Sequence, residues 1–165
     1  MGRLSQLEGW ALMWSDIADR GDFRLRIDPR AFDDSINAGD IQGLLDHNWG
    51  QPISRQKNQS MTLTNRNGGL YVTYKPNAST AGKDAVELVQ SGDVRGQSVG
   101  FSVDEIGIED IGNKSDKPTV VVKKARLQEV SIVTNPAMKS SSIRVSVSQP
   151  SKELSELRQI ISKRH

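Results

Sequence analysis

The sequence contains no cysteine. That excludes a disulfide framework, a cysteine nucleophile and any thiolate metal site. Histidine is almost as scarce: His47 and His165 are the only two, too few for a histidine-rich zinc site. No apolar run approaches the length of a membrane span, and the first residues lack the charged-then-apolar order of a signal peptide. A soluble, intracellular chain with no membrane partner is therefore expected. There is also little excess charge. Lys and Arg number 22 against 20 Asp and Glu, a net +2, which argues against a dedicated nucleic-acid coat protein even with a pI near 9.0. What the chain does have is 165 residues, enough for one domain, and apolar residues that recur with period.

Those periods predict many short strands and few helices. Trp10 to Trp14 is a continuous apolar strand, and in Asp22 to Ile27 the residues Phe23, Leu25 and Ile27 alternate with Arg24 and Arg26. A helix is expected from Asp28 as N-cap and Pro29 at its first position, stopping at Gly39. A strand from Ile41 to about Asp46 ends at His47, and Asn48 to Pro52 reads as a loop. Met61–Leu63 and Leu70–Tyr74 form a hairpin, and Thr80–Ser91 a helix stopped by Gly92. Val99, Phe101 and Val103 alternate, with Ile106 and Ile108 continuing after a bulge; Glu109 to Pro118 is a polar turn. Thr119–Leu127 and Glu129–Val133 are further strands or one bent strand, Ile143, Val145 and Val147 another. Lys139 to Ser142 reads as loosely packed, and Ser151–Arg164 as an amphipathic helix with Leu154, Leu157, Ile160 and Ile161 on one stripe. The expected class is α+β, mainly β: a small, mostly antiparallel β-barrel with peripheral helices.

Three scarce or oddly placed polar residues are candidates for chemistry. His47 lies at a strand end beside a loop, where a side chain can project into a cleft. Gly96-Gln97-Ser98-Val99-Gly100 matches the pattern G-x-S-x-G, but Phe101-Ser102-Val103 alternates like a strand and the histidine precedes the serine, so an α/β-hydrolase elbow is excluded. Glu129 shares a strand face with Ser131, opposite Val130 and Ile132. Each alone has an ordinary reading: an idle histidine, a turn serine, a solvent-facing carboxylate. Together they are the three groups that nucleophilic acyl transfer needs: a hydroxyl, a base to remove its proton, and a carboxylate to hold the base in the right tautomer. The basic cluster Lys123, Lys124 and Arg126 lacks an aromatic platform and reads as a solvated strand face, so no specific nucleic-acid partner is expected.

In order along the chain, these segments resemble the prohead (capsid maturation) protease family of tailed bacteriophages. The likeness runs from about Glu8 to Ala137. It includes Glu8-Gly9-Trp10-Ala11, Phe23 to Phe32, and Leu44-Leu45-Asp46-His47-Asn48. Glu87 to Phe101 around Ser98 and Glu129 to Ala137 complete it. The resemblance implies a fold shared with the herpesvirus assemblin proteases. It implies an endopeptidase that cleaves scaffold segments of the major capsid protein, and itself, inside the assembling prohead in the host cytoplasm. Carried over by motif, His47 is the base, Ser98 the nucleophile and Glu129 the third member. Herpesvirus relatives use a second histidine in the last place. Gln97 stands where many relatives carry methionine and Val99 where they carry phenylalanine, which bears on pocket shape. By analogy with the loop after the third residue in the herpesvirus enzymes, backbone N–H groups of Ala137 and Met138 are candidates for an oxyanion hole. No metal or other cofactor is implied. A homodimer or higher homo-oligomer is expected, with residues 1–137 as the protease domain and 138–165 as a C-terminal strand, linker and helix. The alternative is a catalytically silent capsid assembly protein that keeps the fold and uses its tail helix as a tether.

Overall fold

The computed structural model describes residues 5–109 and 117–147. The elements run β1 (Ser5–Met13), β2 (Ala18–Asp19), β3 (Arg24–Ile27), α1 (Asp33–Ala38), β4 (Gln42–Leu45), β5 (Asn48–Arg55), β6 (Met61–Arg66) and β7 (Gly69–Tyr74). They continue with α2 (Thr80–Ser91), β8 (Gly96–Glu109), β9 (Thr119–Val133) and β10 (Arg144–Val147). The chain is mainly β with few helices, as its short alternating segments require.

One sheet has the order β10-β1-β7-β6 and is antiparallel throughout. The second is built on β9, a single strand of 15 residues. Its length lets it take two partners end to end on one edge: β3 pairs with Thr119–Val122 and β4 with Glu129–Ile132, both parallel. Its other edge is covered by β8, antiparallel, with register shifts near Val103–Ile106 where a bulge was expected. Helix α1 fills the gap between β3 and β4. Its Ser35 hydroxyl accepts the Leu127 N–H at 2.9 Å, and Ala31 O accepts the Ala125 N–H at 3.0 Å, so backbone groups of β9 that face no strand there are still paired.

Leu7, Leu12, Val72 and Tyr74 of the first sheet and Ile27, Val122, Val130 and Ile132 of the second belong to one core. Each fully buried aliphatic side chain contributes about 1.5–3 kcal/mol. The expected barrel is not formed: among the described residues neither sheet closes on itself. The reason is the long β9, which stacks β3 and β4 along a single edge instead of passing the pairing around a ring. The pairing is also mixed, because both of those ladders are parallel.

Three local expectations are corrected. The segment Asn48–Pro52 belongs to strand β5; Pro52 is accommodated where the register to β4 shifts, and Ile53 and Ser54 behind it are buried. The first helix begins at Asp33, because Asp28 caps a tight turn first, its carboxylate accepting the Arg30 N–H at 2.9 Å. Residues 139–142 are not loose. Ser142 exchanges bonds with the Trp10 backbone, Ser141 accepts the Gln97 N–H, and Ser140 bonds Asp16. Beyond them the strand expected around Ile143 to Val147 is present as β10, Arg144–Val147, and it pairs with β1. The polar turn after Glu109, for the most part, and the helix expected over 151–164 lie outside the described residues. Among the described residues no helix is long and apolar enough to cross a membrane.

Candidate active site

The site is built where β9 is covered on both edges. Strand alternation puts Val130 and Ile132 on the core side and Glu129 and Ser131 on the other; all four are buried. The β4–β5 hairpin delivers His47. Leu45 pairs with Asn48, so Asp46 and His47 form a two-residue turn, both in the left-handed region with φ of 53° and 57°. Such a conformation is unfavourable for residues with a Cβ and persists only where surrounding contacts impose it. Here the contacts are to β9: Asp46 N–H donates to Ile132 O at 2.9 Å and His47 N–H donates to Ser131 Oγ at 3.0 Å.

With the turn stitched down, the His47 imidazole meets the Glu129 carboxylate, Nδ1 against Oε1. The carboxylate's other oxygen accepts the Ser131 hydroxyl. A carboxylate in this position accepts the Nδ1–H and leaves the lone pair on Nε2 free to act as a base. The imidazole is 45% exposed and the Glu129 side chain 5%, so the pair has one face toward solvent and one inside the fold.

Ser98 lies on β8 directly across from Ser131, and paired residues on antiparallel strands share a face. It is thus on the side of the sheet that carries Glu129 and His47, two pairs along from Gly100, which faces Glu129. Gly100 leaves room for the acid: a Cβ there would stand 2.3 Å from Glu129 Oε1. The structure joins His47 and Glu129 directly and places Ser98 beside them without a hydrogen bond to the imidazole. Hydroxyl–base contacts are often long in an unliganded enzyme and tighten on substrate.

Gln97, on the opposite face from Ser98, holds this strand start in the core. Its Oε1 accepts the Tyr74 hydroxyl at 2.6 Å and its Nε2 donates to Ser142 O at 2.8 Å. Burial, with the Glu129 charge as a smaller cause, pushes the Tyr74 hydroxyl well above the usual tyrosine range and keeps it a donor. Ala137 is exposed and Met138 buried; both line a cavity of about 460 Å³ with Ser15 to Arg20 and Lys139. None of His47, Ser98 or Glu129 lines that cavity. Pro136 does close over Gly96, so the segment after β9 runs beside the start of the serine's strand. Sequence reasoning gave no role to Ser131, Gly100 or the Tyr74–Gln97 bond. The shared face of Glu129 and Ser131 was the one available signal for the first. Among the described residues no group of three or more His, Asp and Glu side chains is placed to hold a metal ion.

No curated protein matches the chain. Among solved structures it is similar to KSHV protease in complex with a hexapeptide phosphonate inhibitor, with a TM-score of 0.50 and 11% identity over 96% of this chain and 76% of that one. At that identity the likeness is one of fold. A family model described as caudovirus prohead serine protease matches residues 2–155, nearly the whole sequence. The chain therefore belongs to the caudovirus prohead serine protease family and is a serine protease of phage capsid maturation.

Proposed function

We propose that the chain cleaves scaffold segments of the major capsid protein, and itself, inside the assembling prohead, using Ser98, His47 and Glu129. The observation that carries this reading is the Nδ1–carboxylate contact between His47 and Glu129, on the sheet face that also bears Ser98. His47 Nε2 takes the proton from Ser98 Oγ as that oxygen bonds to the scissile carbonyl carbon. The tetrahedral intermediate collapses with the C–N bond breaking, and His47 returns the proton to the leaving amine. Water, deprotonated by the same imidazole, then attacks the acyl-enzyme, which releases the acid and restores Ser98. The Glu129 side chain orients the ring and stabilises the imidazolium in both halves. Backbone N–H groups after β9, with Ala137 and Met138 as candidates, would face the oxyanion once substrate is seated.

The basic strand face gives little support to a nucleic-acid role. Lys124 lies 3.5 Å from Asp34 and Arg126 lies 3.4 Å from Asp104, which reduces the charge available to phosphates. The test is co-expression with capsid protein that carries its scaffold segment. The parent chain should shorten the capsid protein, and Ser98→Ala and His47→Ala should leave it intact. Continued processing by both variants contradicts the assignment.

A further inference from the structure

We propose that Ser131 is a positioning residue for the His47 imidazole, a role that rests on the reading of His47 as base and Glu129 as its partner. Ser131 has no exposed surface. Its hydroxyl has two partners that allow no other arrangement of protons: the Glu129 carboxylate only accepts, and the His47 backbone N–H only donates. The result is a closed ring. The His47 amide donates to Ser131, Ser131 donates to Glu129 Oε2, and Glu129 Oε1 meets Nδ1 of the same histidine.

That ring does work that packing does not. The imidazole is nearly half exposed, so neighbouring side chains alone do not fix its rotamer. Its backbone is left-handed, a conformation that needs outside contacts to persist. Ser131 acts on both ends of the residue: it anchors the main chain from which the ring projects, and it orients the carboxylate that grips the ring. Removing the hydroxyl strands one buried carboxylate oxygen and one turn N–H together. An exposed ring on an unanchored turn then samples orientations in which Nε2 does not face Ser98, and the productive fraction falls.

The experiment measures phosphonylation of Ser98 by an alkyl fluorophosphonate, separating the limiting rate from the half-saturating probe concentration, in the full chain and in Ser131→Ala and Ser131→Thr. It also records the downfield imidazole N–H proton resonance, assigned by its loss in His47→Ala. Ser131→Ala should fold, lose about tenfold or more in limiting rate with little change in half-saturation, and lose or broaden the resonance. Ser131→Thr, which keeps the hydroxyl, should recover both. Wild-type rate and an intact resonance in folded Ser131→Ala overturn the proposal, as does a folded threonine variant that recovers neither; if threonine does not fold, alanine alone decides. Labelling that persists in His47→Ala would instead bring down the underlying reading, which keeps the two failures distinct.

Discussion

Replacing Gly100 by alanine should disable the enzyme while leaving it folded. The added Cβ would lie 2.3 Å from Glu129 Oε1, 2.9 Å from its Cδ and 3.0 Å from its Cγ. Ordinary contact distances require the carboxylate to retreat by about 1 Å. It has little room to do so without leaving His47, since Oε1 is the atom that meets Nδ1. A misplacement of about 1 Å in a catalytic array costs on the order of 10²-fold in rate. Overpacking costs about 1–3 kcal/mol, and removing a strand glycine returns about 0.5–1 kcal/mol, so a folded protein of somewhat lower thermal midpoint is expected. The assay is the rate of capsid-protein shortening, with thermal unfolding measured on the same sample. Gly107→Ala is the control on the same strand: the atoms nearest its Cβ would all be from Lys123, with Cε at 2.6 Å, and a flexible lysine end can move aside. A folded Gly100→Ala enzyme with the parent's rate would refute the reasoning, because the carboxylate could then not be where catalysis needs it.

Two further outcomes rest on the core and on α2. Free tyrosine ionises near pH 10, whereas Tyr74 in the fold holds its proton well above that because it is buried. Above about pH 10 the unfolded chain therefore binds fewer protons, and stability should fall by about 1.4 kcal/mol per pH unit from this group, with no such slope below. In denaturant titrations Tyr74→Phe should show a shallower alkaline decline, and a loss of about 1–3 kcal/mol at neutral pH from the unpaired Gln97 oxygen; parallel alkaline slopes would contradict this. Ser79 caps α2 by accepting the Gly82 N–H at 3.2 Å, so Ser79→Ala should cost about 1 kcal/mol in the same titration without slowing cleavage, and unchanged stability would count against the cap.

Much of this arrangement is legible in the residues. Thr80–Ser91 has its apolar stripe and its stopping glycine in sequence, and the observed helix has those bounds. The hairpin of β6 and β7 turns at Asn67-Gly68, a pair that tolerates positive φ. Glu129 and Ser131 share a face by simple alternation. The His47 hairpin was hidden because tight turns of this kind favour Asn-Gly or Asp-Gly, and Asp46-His47 puts a bulky residue where glycine is usual. It is held by bonds to β9, residues more than eighty positions away, which no local window contains. Pro52 concealed β5 for a related reason: a proline argues against a strand unless a bulge or edge excuses it, and the bulge is set by pairing with β4. The open sheets, in place of a barrel, depend on how many partners β9 takes along one edge, a property of the assembled fold.

The most direct test of the account is where a fluorophosphonate attaches. After reaction of the folded full chain, intact mass and peptide mapping should show a single adduct on Ser98, absent in Ser98→Ala and strongly slowed in His47→Ala and Glu129→Gln. An adduct on another residue, or a folded chain that takes up none, would contradict the claim that the hydroxyl, the imidazole and the carboxylate work as one group.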